Sequence, residues 1–137
     1  MIDISPDAPE KAILDFARRW MKLLADNRID EACALLDEPN YYGIVWTPDS
    51  IKETVHETFS PDTRFYNYHP EGPIFTDPYE LEAQRDREEP IEFDDGSGYH
   101  LDYDIPLNGE WSDLTAQFKF LKRPNGYAVI LYDLYVM

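Results

Sequence analysis

Two turn signals near the end of the chain constrain its fold more than any other feature. Asn108-Gly109 reads as a two-residue hairpin loop, because a type I′ turn needs positive φ at both central positions and these residues tolerate it best. Arg123-Pro124-Asn125-Gly126 suits a type I turn closed by a glycine bulge. Together they predict three successive antiparallel strands, and each turn sets a register. The first places Tyr103 opposite Leu114, Leu101 opposite Ala116 and Tyr99 opposite Phe118. The second places Phe120 opposite Ile130, Phe118 opposite Tyr132, Ala116 opposite Leu134 and Leu114 opposite Val136. Because side chains alternate along a strand, both turns select the same apolar face of the middle strand for the core. The opposite face carries His100, Asp102, Thr115, Gln117, Lys119 and Asp133 among Leu121, Val129, Leu131 and Tyr135. Those last four make it too apolar for water, so it is expected to meet another subunit, the acidic insertion or a partner, with a homodimer through this face as the leading expectation.

Upstream, Ile13, Phe16, Ala17, Trp20 and Leu24 recur at three- and four-residue steps behind a helix start at Ser5-Pro6-Asp7. After the polar break Asp26-Asn27-Arg28, Asp30 can cap a short second helix through Ala32, Cys33, Leu35 and Leu36. Tyr41 to Trp46 is aromatic and β-branched and reads as a short strand. Thr47-Pro48-Asp49 then opens a third helix with the stripe Ile51, Val55 and Phe59. Arg64 to His69 and Ile74 to Thr76 have strand composition, interrupted by prolines. The expected architecture is one α+β domain over residues 1–137, with three N-terminal helices packed on a curved, mostly antiparallel sheet.

Charge bounds the function. Twelve basic residues against 28 acidic ones give a net charge of −16, which repels nucleic acid phosphates and anionic membranes and favours a basic protein partner. From Asp77 to Asp95 nine acids stand against Arg85 and Arg87, so an acidic insertion at about 77–98 reads as a solvated surface loop. A helical turn is expected from Glu80 to Arg87 and a short strand from Ile91 to Phe93. Glu80, Glu82, Glu88 and Glu89 are the candidate partner contacts. The opening MIDISPDAPE lacks the features of a signal peptide and no apolar run reaches membrane-span length, so a cytoplasmic protein is expected. Cys33, the only cysteine, lies among alanines and leucines and reads as a buried, inert thiol.

The order of helical hairpin, short strand, third helix and long antiparallel meander resembles the nuclear transport factor 2-like superfamily, or cystatin-like cone. The phrase from Phe16-Ala17-Arg18-Arg19-Trp20 through Asn27-Arg28-Ile29-Asp30-Glu31-Ala32 is similar to that family's first helix, tight turn and second helix, with Asn27-Arg28 in place of its Gly-Asp. The resemblance implies that an enzyme of this family would work inside the cone with an acid or base and an oxyanion donor. The donor tyrosine's position falls at Trp20, and the catalytic aspartate's falls near Tyr42 to Ile44, where this chain has no carboxylate. No catalytic residue is therefore expected. Small acidic cone-fold proteins of bacteria also include immunity proteins that neutralise basic toxins, and the resemblance extends to their size and charge.

General base chemistry needs a carboxylate or imidazole held in a dry pocket, and the inward positions of the last three strands offer only apolar and tyrosine side chains. His100, Asp102 and Asp104 share one strand face and could chelate a divalent cation, although a solvated polar face explains them equally well. Asp94-Asp95-Gly96-Ser97-Gly98 lacks the alternating ligands of a calcium loop and reads as a turn. Neither a metal nor a cofactor is expected. The leading expectation is a non-enzymatic acidic interaction protein, with a toxin-neutralising immunity protein as one form of it. The alternative is a cone-fold binder or enzyme with an aromatic pocket of Trp20, Tyr42, Trp46, Tyr103 and Tyr132.

Overall fold

The computed structural model describes residues 1–58, 74–82 and 88–136. Among these, α1 (Pro9–Ala25), α2 (Ile29–Ala34) and α3 (Pro48–Thr58) precede a 3-10 turn at Pro78–Glu80. The strands β1 (Ile91–Glu92), β2 (Gly98–Leu107), β3 (Glu110–Arg123) and β4 (Gly126–Val136) follow. They form an antiparallel sheet in the order β1-β2-β3-β4, so the chain has the expected α+β class, with helices packed on an antiparallel sheet. The segments read as strand at Arg64 to His69 and as helical turn at residues 83–87, together with Phe59, lie outside the described residues.

Local chemistry sets most boundaries. The first helix starts later than Ser5 because Pro9 supplies the fixed φ of a first helical position, and Ala8 N–H bonds back to Ser5 O at 3.2 Å as a separate turn. It ends where Asn27 enters the left-handed region at φ 59° and Arg28 N–H closes onto Leu23 O at 2.8 Å. Asp30 does not cap α2; it lies within that helix's first turn, where its charge suits the helix dipole. At the start of α3, Thr47 Oγ1 accepts from Ser50 N–H at 3.1 Å while Thr47 N–H donates to Ser50 Oγ at 2.9 Å, a reciprocal cap.

The core forms where α1 crosses β3. Phe16 meets Phe118 and Phe120 edge-on, each with centroids 5.8 Å apart, and Trp20 meets Phe118 edge-on at 5.1 Å. Such pairs contribute about 0.5–1.5 kcal/mol each beyond their burial. The fully buried Trp20 indole donates to Ala32 O at 2.9 Å, so one side chain joins α1, α2 and the sheet.

The Asn108-Gly109 turn forms with Asn108 at φ 55° and Gly109 at φ 84°, pairing Leu107 with Glu110. The register then departs from expectation. Ser112, Asp113 and Leu114 oppose Ile105 alone, so Tyr103 faces Ala116 and Leu101 faces Phe118. A slip of two residues keeps every side chain on its face, and Ser112 Oγ mends the gap by donating to Ile105 O and accepting from Leu114 N–H.

The β3–β4 correction has larger consequences. Residues far from the turn pair as expected, Leu114 with Val136 and Ala116 with Leu134. Near the turn, Phe120 faces Val129 and Phe118 faces Leu131, one residue off the expected register, because the extra residue sits at Tyr132 rather than at Gly126. A one-residue slip exchanges faces. Val129 and Leu131, assigned to a dimer face, are 0% exposed in the core, while Ile130 and Tyr132 point away from α1.

Tyr41 to Trp46 is not a strand. It runs along the outer edge of β4 and satisfies that edge with individual groups. Asp37 N–H donates to Val129 O and Asp37 Oδ2 accepts from Val129 N–H, both at 2.8 Å. Trp46 Nε1 donates to Leu131 O at 2.8 Å and Asn40 Nδ2 to Tyr132 O at 3.2 Å. Ile2 bridges Tyr127 further along. At the other end of the sheet, β2 passes so close to β3 that a Cβ on Gly98 would stand 1.9 Å from Phe120 O, which admits only glycine.

The observed faces make a direct prediction. Leu131→Ala should cost about 2–5 kcal/mol as a core truncation, whereas Leu121→Ala, at a half-buried position, should cost under about 1.5 kcal/mol. Urea unfolding of both variants checks this, and equal costs would contradict the observed register.

Candidate functional site

The five residues proposed as an aromatic pocket do not converge. Trp20 is sealed under α1 and α2, Tyr42 is 74% exposed on a loop, and Trp46 is half-buried against the β4 edge. Tyr132 lies on the outer sheet face with Lys119 Nζ 3.7 Å from its ring centroid, a cation–π contact. Beside it Phe93 stacks on His100 with centroids 5.4 Å apart. These contacts cover part of the outer face. Of the four residues assigned to a dimer contact, Leu121 and Tyr135 are half-buried and the other two are core.

Tyr103 does face inward, but into a polar cluster. Arg18 of α1 bonds Glu88 Oε2 at 2.7 Å, with the Glu88 side chain only 7% exposed. The Tyr103 hydroxyl and Glu88 Oε1 are buried beside this pair without a well-formed hydrogen bond of their own. Burial and then the Glu88 carboxylate push the Tyr103 phenol well above its ordinary pKa, although Arg18 pulls the other way. The phenol is thus held neutral, and Trp111 packs edge-on against it at 5.8 Å. The Trp111 indole also donates to Glu82 O at 2.8 Å, and Lys22 holds Asp77 at 3.3 Å. The described parts of the acidic insertion are therefore tied to α1 and β3 rather than solvated throughout. Glu88 is removed from the set of partner contacts, while Glu80, Glu82 and Glu89 remain exposed.

An apolar cleft of about 570 Å³ opens between Leu24, Ile29, Val55, Ile74 and Phe75, with Lys52, Glu53 and His56 at its margin. None of the residues proposed for a pocket lines it. His100, Asp102 and Asp104 do not assemble a site; among the described residues no group of three or more metal-ligating side chains converges. Burial, and then Asp30, raise the Cys33 pKa, which keeps it a thiol. Among the described residues no helix is long and apolar enough to cross a membrane.

Among the described residues, exposed large apolar groups gather on a loop whose composition reads as a strand. Tyr41, Tyr42, Ile44 and Val45 are 79%, 74%, 46% and 68% exposed. The buried Asn40 shapes this loop: its Oδ1 accepts from Tyr42 N–H at 3.0 Å and from Ile44 N–H at 2.9 Å. Asn40 O accepts from Gly43 N–H at 2.9 Å, closing the turn, and Gly43 takes the φ of +76° that this turn requires. The clue in the sequence is Asn40, a turn former placed directly before the aromatic run, with Gly43 inside it.

From within α3 to its end, over residues 53–137, the chain matches a family model described as a domain of unknown function (DUF7668). The match takes in more than half of the chain, which therefore belongs to this family. No curated protein and no solved structure matches it.

The Tyr103 cluster gives a pH prediction. A phenol whose folded pKa is raised contributes stability that is present below the ordinary tyrosine value of about 10 and lost as pH rises through the folded one. Tyr103→Phe should match wild type within about 1 kcal/mol at pH 7, since its hydroxyl makes no hydrogen bond of good geometry. Above about pH 10 the variant should lose less stability than wild type. Urea unfolding across this range tests it; identical pH profiles would mean that the hydroxyl titrates as it does in water.

Proposed function

We propose that this chain is a non-enzymatic, cytoplasmic interaction protein whose acidic surface docks on a basic protein partner. One observation carries the reading: among the described residues, five of the nine lysine and arginine side chains are paired with the chain's own carboxylates. Lys11 holds Asp15, Lys22 holds Asp26 and Asp77, Arg28 holds Glu31, Arg123 holds Glu38, and Arg18 is committed to Glu88. Exposed acids such as Asp30, Asp49, Glu53, Glu57, Glu80, Glu82 and Glu89 are left to set the outward field of a chain at −16. A field of one sign attracts the opposite one and speeds encounter over about 8 Å at physiological salt.

Toxin neutralisation, in the manner of a bacterial immunity protein, is the form of this reading that size and charge suit. A kinship with the nuclear transport factor 2-like cone belongs to the same proposal: the helical hairpin, third helix and antiparallel meander support it, while the short strand at Tyr41 to Trp46 is lacking. A homodimer through the outer sheet face is not part of it, because Val129 and Leu131 no longer supply that face.

The test combines capture with kinetics. Proteins retained by the tagged chain and released by salt should be basic. With the purified partner, Glu80→Gln/Glu82→Gln/Glu89→Gln should slow association several-fold at low salt, with the gap closing as salt rises. Folding should be unaffected, since exposed substitutions rarely change stability by more than about 0.5 kcal/mol. Retained proteins that are neutral or acidic, or association rates that never differ, would sink the proposal.

A further inference from the structure

An acidic field brings a partner close, but it does not hold one; tight complexes depend on a few apolar anchors seated in desolvated pockets. The loop from Tyr41 to Val45 has the form of such an anchor. Its two tyrosine rings meet edge-on with centroids 5.3 Å apart, and its backbone is fixed from beneath by Asn40. Asn40 and Trp46 in turn are fastened to the carbonyls of Tyr132 and Leu131 on β4. Little backbone freedom is left to lose on binding, and tyrosine side chains carry much contact area on few rotatable bonds.

We infer that this loop is the anchor of the partner interface, seating Tyr41 and Tyr42 in an apolar pocket of a basic protein whose rim carries lysine or arginine. The inference rests on the functional reading above and adds its contact point. The chemistry of the rim follows from charge. From Asp37 to Glu57 the chain carries five carboxylates against Lys52 alone, and Asp49, Glu53 and Glu57 are exposed. A second copy of this chain is a poor occupant, because it would bring another −16 against the same surface.

The experiment uses the full chain carrying a photo-crosslinker, Tyr42→p-benzoylphenylalanine, beside a second form with the same group at Glu82. Irradiated in lysate, the first form should capture a basic protein through a peptide of apolar residues flanked by lysine or arginine. That protein, purified, should then dissociate about thirty-fold faster or more from Tyr41→Ser/Tyr42→Ser than from wild type. Its association rate should stay nearly unchanged, and the variant's melting profile should match wild type because both side chains are exposed. A basic protein captured from Glu82 but not from Tyr42, or equal dissociation rates, would overturn the anchor and leave the acidic-surface reading standing. Capture of no basic protein from either position would overturn both. A crosslinked pair of this chain with itself would replace the proposed occupant by a second copy.

Discussion

One extra residue in β4 governs how the rest of this molecule is arranged. In a regular strand successive carbonyls point to opposite sides, so Leu131 O and Tyr132 O could not both face the same edge. Here they do, because the bulge opposite Gln117 and Phe118 turns one of them around, and Trp46 and Asn40 reach that edge to satisfy them. The same bulge exchanges the faces of the strand on its turn-proximal side. It delivers Val129 and Leu131 to the aromatic core under α1 and puts Tyr132 outside beneath Lys119. Core composition, outer-face chemistry and the position of the Tyr41–Val45 loop are thus consequences of a single backbone irregularity.

Edge protection follows from the same geometry. An open β4 edge would template pairing with another chain. The segment from Asp37 to Trp46 covers it without becoming a strand, using the backbone N–H and side-chain carboxylate of Asp37 and side-chain donors from Asn40 and Trp46. Because only isolated groups are committed to β4, the side chains between them are free to point outward. A true edge strand would have buried alternate members of the Tyr41-Tyr42-Ile44-Val45 set, and the exposed loop would not exist.

Sequence reading reached the class of fold because its strongest signals are local. Asn108-Gly109 needs only its own two residues to turn the chain, and the α1 stripe is periodic over several turns. The β3–β4 register was half legible for a related reason. The Pro124-Asn125 turn is local, but the bulge falls at Tyr132, where its carbonyl meets a partner about ninety residues earlier in the chain, and no local pattern encodes that pairing. Tyr41 to Trp46 has strand composition, but Asn40 and Gly43 turn its backbone before a ladder can form. Glu88 was read as one acid in a solvated run. Arg18, set between Leu14, Ala17 and Met21 on the partly buried flank of α1, was the sign that some carboxylate had to come in to meet it.

Charge and aromatic exposure are usually discussed as separate surface properties, yet in this chain each makes the other tolerable. A group of exposed tyrosine and aliphatic side chains invites self-association, because burying it against a second copy removes apolar area from water. At −16, two copies repel each other as they approach, which opposes that outcome without removing the apolar groups. The ion pairs contribute to this in an indirect way. Exposed pairs such as Lys11–Asp15 and Arg28–Glu31 add little stability, but they occupy the cations that would otherwise offer a second copy an attractive patch. Under the proposed function, a surface so arranged would disfavour a second copy by charge while leaving an apolar contact for a partner of the opposite sign, a discrimination that neither feature supplies alone.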